Sequence, residues 1–143
     1  MNRELVKEII LASIIVLSQL LIFNHINFFE TVDTFIYVSL FILYKTTYDK
    51  TYLILFGFLV GLIIDLSLQT YGAHTLASIT VCYLKERIEK YSFGVNSTLP
   101  LAMIRGTQLT NRATYFFLII FIHSLIYFSL IFFKFEFTLT IFL

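Results

Sequence analysis

The residues best suited to chemistry in this sequence are one aspartate and two histidines that lie in or beside long apolar runs. Asp65 follows Gly57 and Gly61 at successive intervals of four residues. His74 comes nine residues later, and His123 lies within a further apolar run. A carboxylate or an imidazole in such surroundings either exchanges a proton or cation, or holds nearby polar groups by hydrogen bonds.

Two interpretations of Asp65 follow from its neighbours. It is a proton or cation site, or it is a polar anchor for the tight turn at residues 70–74, and we favour the anchor. Gly72 would give this turn a residue that tolerates a positive φ. The candidate partners beyond the helix end are Gln69, Thr70 and His74.

The two glycines before Asp65 have a separate implication. On a helix of 3.6 residues per turn, Gly57, Gly61 and Asp65 lie along one stripe. Glycines four residues apart let another helix approach closely, which is how membrane helices associate. We therefore predict a helix-packing face here, either within the protein or toward a partner.

The remaining candidates favour structural roles. His123, with Ser124 beside it, is expected to make a packing contact with a neighbouring helix rather than to relay protons. His25 is expected in an outer loop, and the single cysteine, Cys82, as a small buried hydrophobe. No two histidines have metal-ligand spacing, and no nucleophile has an adjacent base. We predict no catalytic residue, no metal and no cofactor.

The composition indicates an all-α integral membrane protein with a single membrane domain, residues 1–143. Hydrophobic residues make up 59% of the chain and charged residues 13%, whereas soluble domains carry roughly 25% charged residues. The formal net charge of +1 argues against a nucleic-acid partner, because phosphate binding requires a clustered positive field.

The apolar runs predict about six transmembrane helices. Their approximate bounds are 5–23, 28–44, 52–69, 73–84, 113–133 and 135–143. The first run lacks a small-residue cleavage site, so we interpret it as a helix rather than a signal peptide. The second and fourth runs are short, and they either borrow flanking residues or lie buried among neighbouring helices. The last is expected to be an incomplete sixth helix.

The basic residues predict the orientation. With a cytoplasmic N-terminus, alternate loops place nine of the ten basic residues inside and only Lys134 outside. The connection at residues 85–112 would be cytoplasmic, either as a solvated helix end followed by a loop or as a helical extension, since Lys85 and Glu89 lie four residues apart. Its predicted basic face consists of Lys85, Arg87, Lys90, Arg105 and Arg112.

The stretch at residues 57–65, followed by Gly72, His74 and Lys85, resembles the rod shape-determining MreD family. More narrowly, it is similar to the Bacteroidetes-type branch, in which a Gly-x-x-x-Gly-x-x-x-Asp helix runs into a Gly-x-His turn. The similarity extends weakly to residues 24–29 and 122–128. Lys85 stands where an arginine is commoner in that branch.

This resemblance implies a non-enzymatic component of the cell-wall elongation machinery in the bacterial inner membrane. Its implied partners are MreC and, through it, MreB and the RodA glycosyltransferase with its transpeptidase. The implied fold is similar to the substrate-binding subunit of energy-coupling-factor transporters, so a vitamin-type binding subunit is the alternative. Such a binder should line a cavity with polar residues from several helices, and polar residues are sparse in these apolar runs.

Overall fold

The computed structural model describes residues 3–23, 35–44, 49–94 and 107–142, and every regular element in these ranges is helical. Helix α1 (Arg3–Ser18) continues as a π-helical turn (Gln19–Phe23), and a 3-10 turn (Ile36–Val38) leads into the short α2 (Ser39–Leu43). The longer helices are α3 (Lys50–Leu68), α4 (Ala73–Phe93) and α5 (Leu109–Phe142). The all-α prediction is confirmed.

The expected count of about six transmembrane helices is not confirmed. Within the described ranges, two helical segments are long and apolar enough to cross a membrane: α3 and the Leu109–Phe133 part of α5. The shorter apolar stretch Ile9–Ile22 lies in α1 and its π-helical continuation. Helix α4 falls short because its apolar half is followed by five charged residues at positions 85–90. Residues 28–34 of the second predicted helix lie outside the described ranges.

The predicted break between a fifth and a sixth helix is wrong. Residues Leu109–Phe142 form one continuous helix of 34 residues, which at 1.5 Å per residue is about 50 Å long. The sequence around Lys134 and Glu136 contains charges but no glycine or proline to end a helix. A charge interrupts apolar character without interrupting backbone hydrogen bonds, so neither residue lies in a loop.

Helix α4 is also longer than predicted, because it continues past residue 84 to Phe93 and ends before Gly94, which has a φ of +98°. It lies at the centre of the structure, packed against α3 on one side and α5 on the other. The start of α3 is capped by Asp49, whose carboxylate accepts a hydrogen bond from the Thr51 amide at 2.9 Å. The turn between Leu68 and Ala73 makes α3 and α4 an antiparallel hairpin.

Candidate functional site

The turn that joins α3 to α4 uses unusual backbone conformations. Gln69, Tyr71 and Gly72 all have positive φ angles, of 56°, 54° and 95°. Gly72 immediately precedes α4 and has no side chain with which to cap it. The first amides of α4 therefore need an acceptor from elsewhere in the protein.

Asp65 on α3 supplies that acceptor. One carboxylate oxygen, Oδ1, accepts from the His74 amide at 3.0 Å, and the other, Oδ2, accepts from the Thr75 amide at 2.7 Å. The Thr75 hydroxyl donates to Oδ2 at 2.5 Å, and the Thr70 hydroxyl donates to Oδ1. Asp65 is only 5% exposed. A negative charge at the amino end of a helix is also stabilised by the helix dipole, so Asp65 caps α4 from the preceding helix.

The partners of Asp65 differ in part from the sequence candidates. Thr70 bonds through its hydroxyl, but His74 bonds through its backbone amide and not its ring. The Gln69 amide donates to the backbone carbonyl of Asp65, as expected for the last turn of α3. Thr75 is a further partner that was not predicted from the sequence. Its signal was available, because Thr75 is the third residue of a helix that begins directly after a glycine.

The glycines of α3 face α4 of the same chain. A Cβ atom on Gly61 would lie 2.5 Å from Thr75 Cα and 2.9 Å from Thr75 N. Gly61 thus allows the close approach that brings the Thr75 amide to the Asp65 carboxylate. A Cβ on Gly57 would instead lie 2.6 Å from Cys82 Sγ, which is a side-chain atom. Cys82 is buried in this contact.

A second polar cluster involves the His74 ring. The Tyr37 hydroxyl lies 3.0 Å from His74 Nδ1 and 2.6 Å from His123 Nε2, and all three side chains are at most 2% exposed. The hydroxyl carries one proton, so it donates to one imidazole and accepts from the other, which couples the two histidine tautomers. This cluster joins the 3-10 turn, α4 and α5. Tyr37 was not predicted as a site residue, although it places a hydroxyl in the middle of a short apolar run.

Gln19 accepts hydrogen bonds from backbone amides at the start of another helical element. Its Oε1 atom accepts from the Ile36 amide at 2.9 Å and from the Tyr37 amide at 3.4 Å, where the 3-10 turn before α2 begins. Gln19 is 4% exposed. Gln19 and Asp65 therefore play the same part, since each is a buried side chain that accepts backbone amides from the start of a different element.

The other end of α4 contains a buried ion pair. Lys85 Nζ lies 2.7 Å from Glu89 Oε1, and these side chains are 3% and 6% exposed. Lys85 also donates to the Tyr44 carbonyl at 2.8 Å, and the Tyr115 hydroxyl donates to Glu89 Oε1 at 3.2 Å. The placement of Lys85 on a solvated basic face is therefore wrong. Its long side chain points into the contact between α4, α5 and the end of α2 because Glu89 compensates its charge there and the Tyr44 carbonyl accepts a hydrogen bond.

The rest of the predicted basic face is dispersed. Arg87 and Lys90 are exposed on α4, whereas Arg112 is half-buried in the first turns of α5. Lys90 pairs with Glu86 at 2.7 Å, and this hydrogen bond lowers the pKa of the Glu86 carboxyl. Arg105 and His25 lie outside the described residues.

In the described part of the chain, no three side chains of His, Cys, Asp or Glu are arranged to hold a metal ion. Comparisons with protein-family models, with curated proteins and with solved structures found no match. The fold and the site thus define a helical chain with two segments able to cross a membrane, whose buried polar groups join one helix to another.

Proposed function

We propose that this protein is a non-enzymatic membrane scaffold, and that it works in the cell-wall elongation machinery of a bacterial inner membrane. Within that class, its proposed relatives are the MreD proteins, on the similarity of residues 57–85 to their Gly-x-x-x-Gly-x-x-x-Asp helix and Gly-x-His turn. Its proposed partners are an MreC-like protein and, through it, MreB and the RodA glycosyltransferase with its transpeptidase.

The main support for the proposal is that the polar side chains of the apolar segments form hydrogen bonds with other helical elements of the same chain. Gln19 and Asp65 accept backbone amides, and the Tyr37 hydroxyl lies between the rings of His74 and His123. A vitamin-binding subunit would direct such groups toward a ligand, because a few convergent polar groups set the orientation of a small molecule. Here these groups fix helices to one another, which favours a scaffold.

The exposed surface also supports a scaffold in a membrane. Large apolar side chains are exposed along one side of α5 and of α1, and lipid or a partner helix can cover them. On α5 the exposed set includes Phe117, Phe121, Leu125 and Phe132. Membrane helices associate through van der Waals packing rather than through apolar burial alone. Internal hydrogen bonds that hold the helices in fixed positions would therefore keep this surface complementary to a partner helix.

The proposed topology places the N-terminus and the charged end of α4 in the cytoplasm. Two exposed tyrosines provide a matched test: Tyr71 in the turn before α4, at 81% exposure, and Tyr91 near the end of α4, at 78%. In a Cys82→Ala background, Tyr71→Cys should react with a membrane-impermeant maleimide in intact spheroplasts, and Tyr91→Cys should react only after lysis. Labelling of Tyr91→Cys from outside would contradict the topology.

The function is tested by affinity purification of the chain from its native membrane in a mild detergent, followed by mass spectrometry of proteins and small molecules. We expect a stoichiometric MreC-like protein and no retained small ligand. A tagged, unrelated polytopic protein from the same membrane is the control for adventitious capture. A vitamin-like molecule at one equivalent, without an elongation protein, would establish the transporter alternative.

A further inference from the structure

Two cations lie against one aromatic ring near the start of α3, at the open end of the α3–α4 hairpin. Lys50 Nζ lies 4.4 Å from the centre of the Tyr83 ring, and Arg87 Cζ lies 5.7 Å from it. Both distances are within the range of cation–π attraction. Tyr83 is 48% exposed, so the ring holds both charges together at the surface.

Neither of these two charges is in a close ion pair, although the Glu86 carboxylate lies near enough for both of them to lower its pKa. The ion pairs among the described side chains are Lys85 with Glu89 and Lys90 with Glu86, and neither includes Lys50 or Arg87. The neighbouring Asp49 carboxylate accepts the Thr51 amide and is not in either of these ion pairs. Like charges brought to one ring repel each other, and an anion between them would relieve that repulsion.

Exposed apolar side chains lie on both helices of this hairpin. On α4, Leu76 is exposed two turns before Tyr83 on the same side of the helix, and on α3 the exposed apolar side chains after Lys50 include Phe58 and Leu62. A ligand that matches both parts has an anionic group at one end and an apolar chain at the other. Free phosphate matches the cations alone.

We propose that Lys50, Tyr83 and Arg87 form a binding site for the headgroup phosphate of an anionic phospholipid, with its acyl chains along the α3–α4 hairpin. The proposal rests on the membrane location of the hairpin and is independent of the scaffold function. Tyrosine rings at this level are typical of a membrane interface. The site would fix the depth of the hairpin in the leaflet on that side.

The test measures the thermal unfolding midpoint of the full chain in a neutral detergent. Dioleoyl phosphatidylglycerol should raise the midpoint in a saturable manner, whereas dioleoyl phosphatidylcholine and sodium phosphate at equal ionic strength should leave it unchanged. Equal stabilisation by both lipids would overturn the proposal, because the headgroup charge would then be irrelevant. Equal stabilisation by sodium phosphate would overturn it in favour of a free anion.

Variants separate a defined site from diffuse attraction. Lys50→Gln and Arg87→Gln should each weaken phosphatidylglycerol binding about fivefold, the effect of about 1 kcal/mol per basic residue at an anionic surface. Lys7→Gln removes one positive charge from an exposed position on α1, outside the proposed site, so its binding should stay near wild type. Tyr83→Leu should weaken binding with no change in charge. Each variant is compared with its own lipid-free midpoint, and an equal loss in all three charge variants would overturn the site.

Discussion

The two ends of α4 are fixed to their neighbours by different chemistry. At its amino end, the Asp65 carboxylate accepts hydrogen bonds from backbone amides, which are present whatever side chains His74 and Thr75 carry. At its charged end, Lys85 and Glu89 compensate each other as side chains. Any substitution of His74 or Thr75 except proline keeps the backbone amide, whereas both charges of an ion pair can be replaced together. The acceptor at the amino end should therefore be indispensable, and the ion pair should be replaceable.

The largest expected effect is the removal of one half of the buried pair. Glu89→Leu leaves the Lys85 ammonium buried without a carboxylate, and we expect a loss of about 3 to 5 kcal/mol in the free energy of unfolding. The double variant Lys85→Met with Glu89→Leu should recover most of that loss. Unfolding by sodium dodecyl sulfate in mixed micelles measures both.

Glu86→Leu is the matched control for this pair. It removes a carboxylate with the same four-residue spacing to a lysine on the same helix, but that pair is about half exposed. Exposed pairs contribute little to stability, so the midpoint should barely move. If Glu89→Leu is as mild as Glu86→Leu, or the double variant is no better than the single one, the ion pair does not behave as described.

The next effect is at the amino end. Asp65→Leu removes the acceptor of two buried amides, and we expect a loss of about 2 to 4 kcal/mol. Adding Thr75→Val should not restore stability, because the His74 and Thr75 amides remain unpaired. Ser67→Leu, an exposed polar-to-leucine change on the same helix, is the control. If Thr75→Val restored the stability lost in Asp65→Leu, the two ends of α4 would not differ in the way proposed.

The glycines of α3 give a smaller and more selective pair of effects. Gly61→Ala places a methyl group against the backbone of Thr75, with an expected loss of about 1 to 3 kcal/mol. Gly57→Ala meets Cys82 Sγ instead, so Cys82→Ala should relieve it and leave Gly61→Ala unrelieved. The same micelle unfolding assay compares the four variants. Relief of Gly61→Ala by Cys82→Ala would show that the two contacts are not separate.

The sequence predicted the features that depend on local pattern. Apolar runs indicated α1 and α3, and the position of Asp65 shortly before a glycine turn predicted a polar anchor for that turn. Contacts between residues far apart in the sequence could not be predicted from local pattern. Tyr37 is 86 residues from His123, and nothing in the spacing of either residue shows the other. The burial of Lys85 depends on Tyr44 and Tyr115, which the fold brings from distant positions. Near Lys134, the charged residues do not mark a helix boundary, because no residue that ends a helix is present there.

The most direct test of the scaffold proposal compares two substitutions of Asp65 in cells. Asp65→Asn keeps an oxygen for the His74 amide but presents an NH₂ group toward the Thr75 amide, so it should be less stable than wild type and more stable than Asp65→Leu. Each variant is expressed as the only copy, and cell shape and protein abundance are measured together.

If Asp65 serves the fold, cell shape should follow abundance. Asp65→Asn should then give rod-shaped cells with protein near the wild-type level, and Asp65→Leu should give rounded cells with little protein. A site that must bind a proton or cation would require the charge itself. Rounded cells with a full level of Asp65→Asn protein would contradict the scaffold account and favour transport or proton relay.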